Sequence, residues 1–268
     1  MTATHYSLVG DIGGTNARFA LVEKGSVQPG AIEILPCGEY TNLDDAVRDY
    51  LARVGVSEVD GACLALVPVC GGPGDSRRPR LVMGPGTGLG VSGLVPIEHG
   101  WVPLMTEGGH VDFAPTDDTE MAVLRILKAR FGRVSVERIL CGQGLLNLYQ
   151  AHAEIQGVAA PLDAPEKITA AAVENTDSLA RHTLRHFCEI LGRVAGNGVL
   201  TLGSTGGVYL CGGILPRFLD FFLESPFRNG FEDKGRMRPL LEFTPVYVVT
   251  EPYTGLLGAA EALGNPEV

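Results

Sequence analysis

The sequence predicts an α/β protein built as two domains. Three observations carry that expectation. The front of the chain is a series of short apolar runs separated by turn residues. From about Asp117 onward helical periodicity dominates, and 268 residues with 45% apolar content suffice for one large core or two smaller ones.

Taken in order, 6–10 is an apolar run ending at Asp11, 19–22 a second and 31–35 a third, with Lys24-Gly25 as a turn. Together they predict a meander of antiparallel strands with glycines at the first bend. A helix follows: Asn42 caps it, Leu43, Ala46, Val47, Tyr50, Leu51 and Val54 recur at three- and four-residue spacing, and Gly55 ends it. The run 62–69 is the next strand, and strands at 80–83 and 91–95 flank the loop GPGTGLG. Helices are expected at 119–131, 144–155 and 178–203, with a short turn that Ser135 caps and that carries Glu137. A strand at 207–211 runs into Gly212-Gly213 and a helix start at Pro216; another at 246–250 precedes a last helix at 255–263.

A net charge of -10 argues against a general nucleic-acid or anionic-membrane surface, which would need a positive patch. Arg77, Arg78 and Arg80 form a local basic cluster that reads as a solvated linker. The six cysteines include no C-x-x-C pair and no zinc-ligand spacing, as expected of reduced, mostly buried thiols. With no basic-then-apolar leader at the N-terminus and no apolar run long enough to span a bilayer, a cytoplasmic enzyme is the expected class.

Chemistry concentrates in the glycine loops. In Gly10-Asp11-Ile12-Gly13-Gly14-Thr15 the glycines let backbone N–H groups approach a phosphate, and a carboxylate at the strand end is able to hold Mg²⁺ directly or through water. The same pattern also suits an ordinary tight turn. No Gly-Lys dipeptide exists, which excludes a Walker loop. The loop containing Gly86, Thr87 and Gly88 is a poor Rossmann fingerprint, because Leu89 stands where the third glycine belongs and a strand follows. Paired with the first loop it suggests two hairpins gripping a polyphosphate. Gly206-Gly207 with Gly212-Gly213 would complete a nucleotide-sized set, although such glycines also serve close packing. In Glu107-Gly108-Gly109-His110 a carboxylate and an imidazole flank two glycines, a donor and acceptor set suited to neighbouring sugar hydroxyls. Glu137 alone reads as an ordinary first-turn glutamate.

The segments GDIGGTNAR, GPGTGLGV, EGGHVDFAP, VSVERILCGQGLLNLY, GGVYLCGGILPRF, FEDKGR and GLLGAAEAL together resemble, in family order and over nearly the whole chain, the bacterial-type ATP-dependent glucokinases of the hexokinase, actin and sugar-kinase superfamily. The zinc-motif relatives are less similar, since no C-x-C-G-x-x-G-C segment is present. The resemblance implies a two-domain actin-like ATPase (ribonuclease H-like) fold, with a small domain at 1–79 plus 252–268 and a large domain at 80–251. It implies transfer of the ATP γ-phosphoryl group to the 6-hydroxyl of D-glucose with Mg²⁺, domain closure over the sugar, and a homodimer formed through the large domain. By the same likeness Gly10, Asp11, Ile12, Gly13, Gly14 and Thr15 with Gly86, Thr87 and Gly88 bind the ATP phosphates, Asp11 lies near the metal, Gly212 and Gly213 take the adenosine side, and Glu107, His110 and Glu137 hold the sugar.

One departure stands out. The family follows the strand at 62–69 with a strand, a helix, a strand ending in Asn-Asp-Phe and another helix, roughly fifty residues in all, where this chain has a short linker before Arg80. The family's general base is the Asp of that motif, and its Asn is a glucose ligand. No substitute presents itself: Asp112 belongs to EGGHVDF, Asp44-Asp45 to the early helix, and Asp75 reads as a turn residue. The small domain is therefore expected to be truncated and weakly stable, with turnover reduced or absent. A pseudokinase that binds ATP and sugar as a sensor or partner protein, and an internally shortened form of an ordinary enzyme, are the rival expectations.

Overall fold

The computed structural model describes residues 6–12, 16–23, 29–36, 39–40, 49–50, 52–55, 66–72, 75, 77–98 and 100–250. The chain divides into two compact units, one of Met1–Leu66, His99–Val102 and Glu251–Val268, the other of Val67–Glu98 and Pro103–Thr250. The linker after Val69, expected with the smaller domain, groups with the larger unit.

In the first unit β1 (Tyr6–Ile12), β2 (Asn16–Glu23) and β3 (Pro29–Pro36) form the antiparallel meander that the apolar runs predict, each strand two to four residues longer than its run. Helical backbone at 49–50 and 52–54 (α1) ends at Gly55, whose φ of 72° is costly for residues with a Cβ. The helix earns its place through Tyr50, which is fully buried, packs its ring 5.4 Å from that of Phe19 and donates its hydroxyl to Ala31 O at 2.8 Å. The expected Asn42 cap and the helix at 255–263 lie outside the described residues.

The second unit is built on β4 (Leu66–Cys70), β5 (Arg80–Pro85), β6 (Leu89–Ile97), β8 (Val208–Leu210) and β9 (Val246–Val249); β7 (Gly100–Pro103) follows β6 in the chain and, up to Val102, is grouped with the first unit. The strands hydrogen-bond in the order β4-β9-β8-β5-β6. β5 and β6 are an antiparallel hairpin, whereas β5, β8 and β9 run parallel, joined through helices. Those helices are α2 (Asp118–Phe131), α3 (Gly142–Gln156), α4 (Pro165–Val173), α5 (Ser178–Leu202), α6 (Leu219–Leu223), α7 (Phe227–Glu232) and α8 (Arg238–Phe243). Asp117 caps α2 by accepting from Glu120 N at 2.7 Å, and Asp177 caps α5 by accepting from Ala180 N at 2.8 Å. One continuous apolar core, including Leu81, Met83, Leu127, Tyr149, Phe187 and Val248, lies between sheet and helices.

β4 is the strand expected at 62–69 over 66–69 and runs one residue further, to Cys70; 62–65 lie outside the described residues. Val69 and Cys70 pack against the core of the larger unit, and the chain then docks on the end of α8: Gly72 N donates to Phe243 O at 3.2 Å. At Gly71 φ is 92° and a Cβ would fall 2.1 Å from Thr244 O, so only glycine fits. Asp75 closes the linker turn by accepting from Arg77 N at 2.9 Å, and that hydrogen bond, with the charges of Arg77 and Arg78, lowers its pKa. It is a turn residue, as the Pro-Gly-Asp pattern suggests.

Gly206-Gly207 corrects the sequence reading. The pair precedes β8 and Gly212-Gly213 follows it, so the two sit at opposite ends of the strand. A Cβ on Gly206 would meet Arg78 O at 2.4 Å, and Gly206 N donates to Pro79 O at 3.1 Å. These glycines serve linker packing, not a nucleotide.

Candidate active site

The β5–β6 hairpin presents Gly86, Thr87 and Gly88 at its tip, closed by a hydrogen bond from Gly86 N to Gly88 O at 2.8 Å. Gly86 O in turn accepts from Gly142 N, the first residue of α3, at 2.9 Å. The positive end of the α3 dipole thus adjoins the hairpin. Thr87 is exposed.

Glu137 is tied to the same hairpin. It sits in a 3₁₀ turn over Val136–Arg138, preceded by Ser135, whose hydroxyl makes no capping bond. Its Oε2 accepts from Leu89 N at 2.8 Å, and a Cβ on Gly88 would come 2.6 Å from the same oxygen. Its other oxygen, Oε1, lies 3.8 Å from His110 Nδ1. Glu137 is therefore no ordinary first-turn glutamate; one oxygen anchors the hairpin while the other faces the imidazole.

Glu107 and His110 come from a second 3₁₀ turn, Gly108–His110, in which His110 N donates to Glu107 O at 3.0 Å. His110 Nε2 lies 4.0 Å from Glu107 Oε2. Gly109 allows this turn to lie on β6, since a Cβ there would fall 2.0 Å from Leu89 O. The exposures of 89%, 53% and 29% for the side chains of Glu107, His110 and Glu137 grade from solvent to anchor. Three polar groups separated by thirty positions in sequence thus share one rim beside the hairpin, offering acceptors and a donor to adjacent hydroxyls.

Gly212, with φ 88°, touches the base of the hairpin, where a Cβ would meet Pro85 O at 2.7 Å, and Gly213 faces open space. Beyond it a cavity of about 270 Å³ is lined by Gly142, Leu145, Pro165, Glu166, Ile214 and Arg217, among others. The sequence reading missed α4, which supplies Pro165 and Glu166 to this wall. Its signals were present: Pro165 at the first helical position, Glu166 in the first turn and three consecutive alanines.

Gly10, Asp11 and Ile12 end β1, paired in register with Phe19, Arg18 and Ala17. Gly13, Gly14 and Thr15 lie outside the described residues. Among the described residues no group of three or more His, Cys, Asp or Glu side chains is arranged to hold a metal ion. No helix among them is long and apolar enough to cross a membrane.

A sequence model of the family described as Glucokinase matches residues 8–68 and 65–266. The chain belongs to the glucokinase family. A glucokinase of Marinobacter nauticus is 68% identical over 321 aligned positions that take in all of both chains, and one of Hahella chejuensis is 53% identical over the same span. The glucokinase of an Antarctic psychrotroph superimposes with a TM-score of 0.82 at 30% identity, covering 96% of this chain and 98% of that one. The glucokinase of Balamuthia mandrillaris, solved in complex with glucose, superimposes with a TM-score of 0.80 at 18% identity, covering 98% and 94%, a likeness of fold. These neighbours share the actin-like ATPase fold that the motifs imply.

Against 321 aligned positions the chain has 268 residues, so 53 positions have no counterpart here. The two family matches meet at 65–68, at the start of β4. The gap therefore precedes the linker, and CGGPGDSRRPR lies inside the second match as family sequence in its own place.

Proposed function

We propose that this chain binds ATP with Mg²⁺ and D-glucose and transfers the γ-phosphoryl group to the 6-hydroxyl at a much reduced rate. The observation that carries the reading is the convergence of Glu107, His110 and Glu137 on one rim beside the Gly86–Gly88 hairpin. The hairpin tip and the adjoining α3 N-terminus suit phosphates, the Gly212-Gly213 loop and its cavity suit the adenosine side, and the rim suits sugar hydroxyls. The small domain of the family corresponds to the first unit and the large domain to the second. Mg²⁺ would arrive on the nucleotide, which requires only one or two protein carboxylates, and Asp11 is the residue assigned to it. When bound it neutralises phosphate charge.

The reduced rate follows from the 53 missing positions, which the family likeness says include the general base. Positioning and electrostatics account for most phosphoryl-transfer catalysis, so some turnover survives, but base assistance is worth about 10²–10⁴ in rate. A coupled glucose 6-phosphate assay tests this. Inserting the corresponding segment of the Marinobacter nauticus relative at residue 66 should raise turnover by about 10²–10⁴. Turnover of the unmodified chain at ordinary kinase rates of about 1–100 per second would refute the impairment. Saturable binding of both ligands with no turnover favours the second reading, a pseudokinase, which the same gap motivates.

A further inference from the structure

Arg133 follows Gly132, the residue that ends α2, and turns back onto the loop that carries His110. Its Nη2 donates to the carbonyl oxygen of His110 at 2.7 Å and lies 2.7 Å from Asp112 Oδ1. Between these contacts and Glu137 the two segments are stitched together: Phe113 N donates to Val134 O at 3.0 Å, Val136 N donates to Val111 O at 2.9 Å, and Asp112 bridges Ser135. The pairing is antiparallel, so His110 and Glu137 both lie just beyond the same end of the short ladder, the end at Val111 and Val136.

We infer that Arg133 is a positioning residue for the sugar rim, fixing the direction of the His110 peptide and hence the spacing between the His110 imidazole and Glu137. This rests on the sugar reading of the rim proposed above. Both contacts are made by Nη2, whose two N–H bonds are fixed in the guanidinium plane; directing them at acceptors two residues apart fixes the orientation of the peptide units between them, which a freely rotating ammonium does less well. The side chains of Arg133 and Asp112 are 62% and 77% exposed, so their ion pair adds little to global stability. The contribution of Arg133 is to local geometry, which makes the two separable by experiment.

The test uses the full chain with Arg133→Gln, Arg133→Lys and Asp112→Asn. Glucose and MgATP affinities are measured by calorimetry, the melting temperature by circular dichroism, and the His110 ring signal by ¹H–¹³C NMR without ligand. Arg133→Gln should weaken glucose binding about tenfold while leaving MgATP affinity and melting unchanged. Asp112→Asn should cost less, since the bond to the His110 carbonyl survives, and Arg133→Lys should recover part of the loss. Unchanged glucose affinity in Arg133→Gln overturns the inference. So do parallel losses of glucose affinity, MgATP affinity and melting temperature, which would mark a merely structural residue. If the parent chain binds MgATP but not glucose, the sugar reading fails by itself. The His110 signal then decides the inference: broadening or a shift in Arg133→Gln supports it, and an unchanged signal overturns it.

Discussion

Gly109→Ala adds one methyl group to the turn between Glu107 and His110. The new Cβ would lie 2.0 Å from Leu89 O, 3.0 Å from Leu89 C and 3.1 Å from Leu89 Cβ. Carbon atoms in contact are comfortable at about 3.5–4.0 Å, and the obstacle is strand backbone, so the turn must retreat by roughly 1 Å or more. Leu89 cannot follow it, because its N–H is held by Glu137 at 2.8 Å. The retreat therefore widens the 3.8 Å separation between His110 and Glu137. Overpacking of this kind costs about 1–3 kcal/mol, which lowers the melting temperature by about 2–4 °C per kcal/mol. Misplacing a binding group by about 1 Å has a larger functional effect, on the order of tenfold to a hundredfold. Calorimetric titration with glucose, with MgATP as the control ligand, reads it directly. Gly109→Ala that binds glucose as tightly as the parent chain would refute the argument that this turn sets the rim.

Acid should destabilise the protein through two buried groups. Burial alone would raise the Glu120 carboxyl, but hydrogen bonds from His186 and Thr116 N and the charge of Arg193 outweigh it and hold the pKa down to about 2, so stability present above about 4.5 is lost as pH falls toward 2. His152 is lowered to about 3 by burial and by the neighbouring His186 and His182, so the unfolded chain takes up a proton near 6.5 that the folded chain refuses until about 3, again eroding stability on acidification. Urea midpoints should fall between pH 7 and pH 4 through His152 and fall further below about pH 4.5 through Glu120; a flat profile over the upper range would contradict the first assignment and one over the lower range the second. Gly71→Ala should lower the urea midpoint by about 1–3 kcal/mol in stability, because φ is 92° and the added Cβ meets Thr244 O at 2.1 Å. An unchanged midpoint would mean that the linker is not docked on the larger unit.

Much of the larger unit was readable from local pattern. Asp117 and Gly132 bracket α2, Asp177 and Gly203 bracket α5, and the observed ends lie within a residue of those expected. Caps and periodicity are local properties of the chain, so they survive any tertiary context. What local pattern left undecided has a different origin. The apolar run at 62–69 has no period that says which sheet it joins, and β4 lies beside β9, almost two hundred residues away in sequence. Gly206-Gly207 and Gly212-Gly213 look alike as dipeptides; only the three-residue strand between them puts one at the linker and the other at the hairpin.

Family membership, the order of the motifs and the missing block are properties of the sequence by itself, because they depend on residue identity and spacing alone. Glu137 shows what had to come from the tertiary structure. In sequence it is a first-turn glutamate, thirty residues after Glu107 and nearly fifty after Leu89. The hairpin N–H at 2.8 Å and the imidazole at 3.8 Å turn it into the joint between the Gly86–Gly88 hairpin and the Glu107–His110 turn. Hydrogen bonds act over a few ångströms in space, and the chain separation of their partners carries no trace of which pairs will meet.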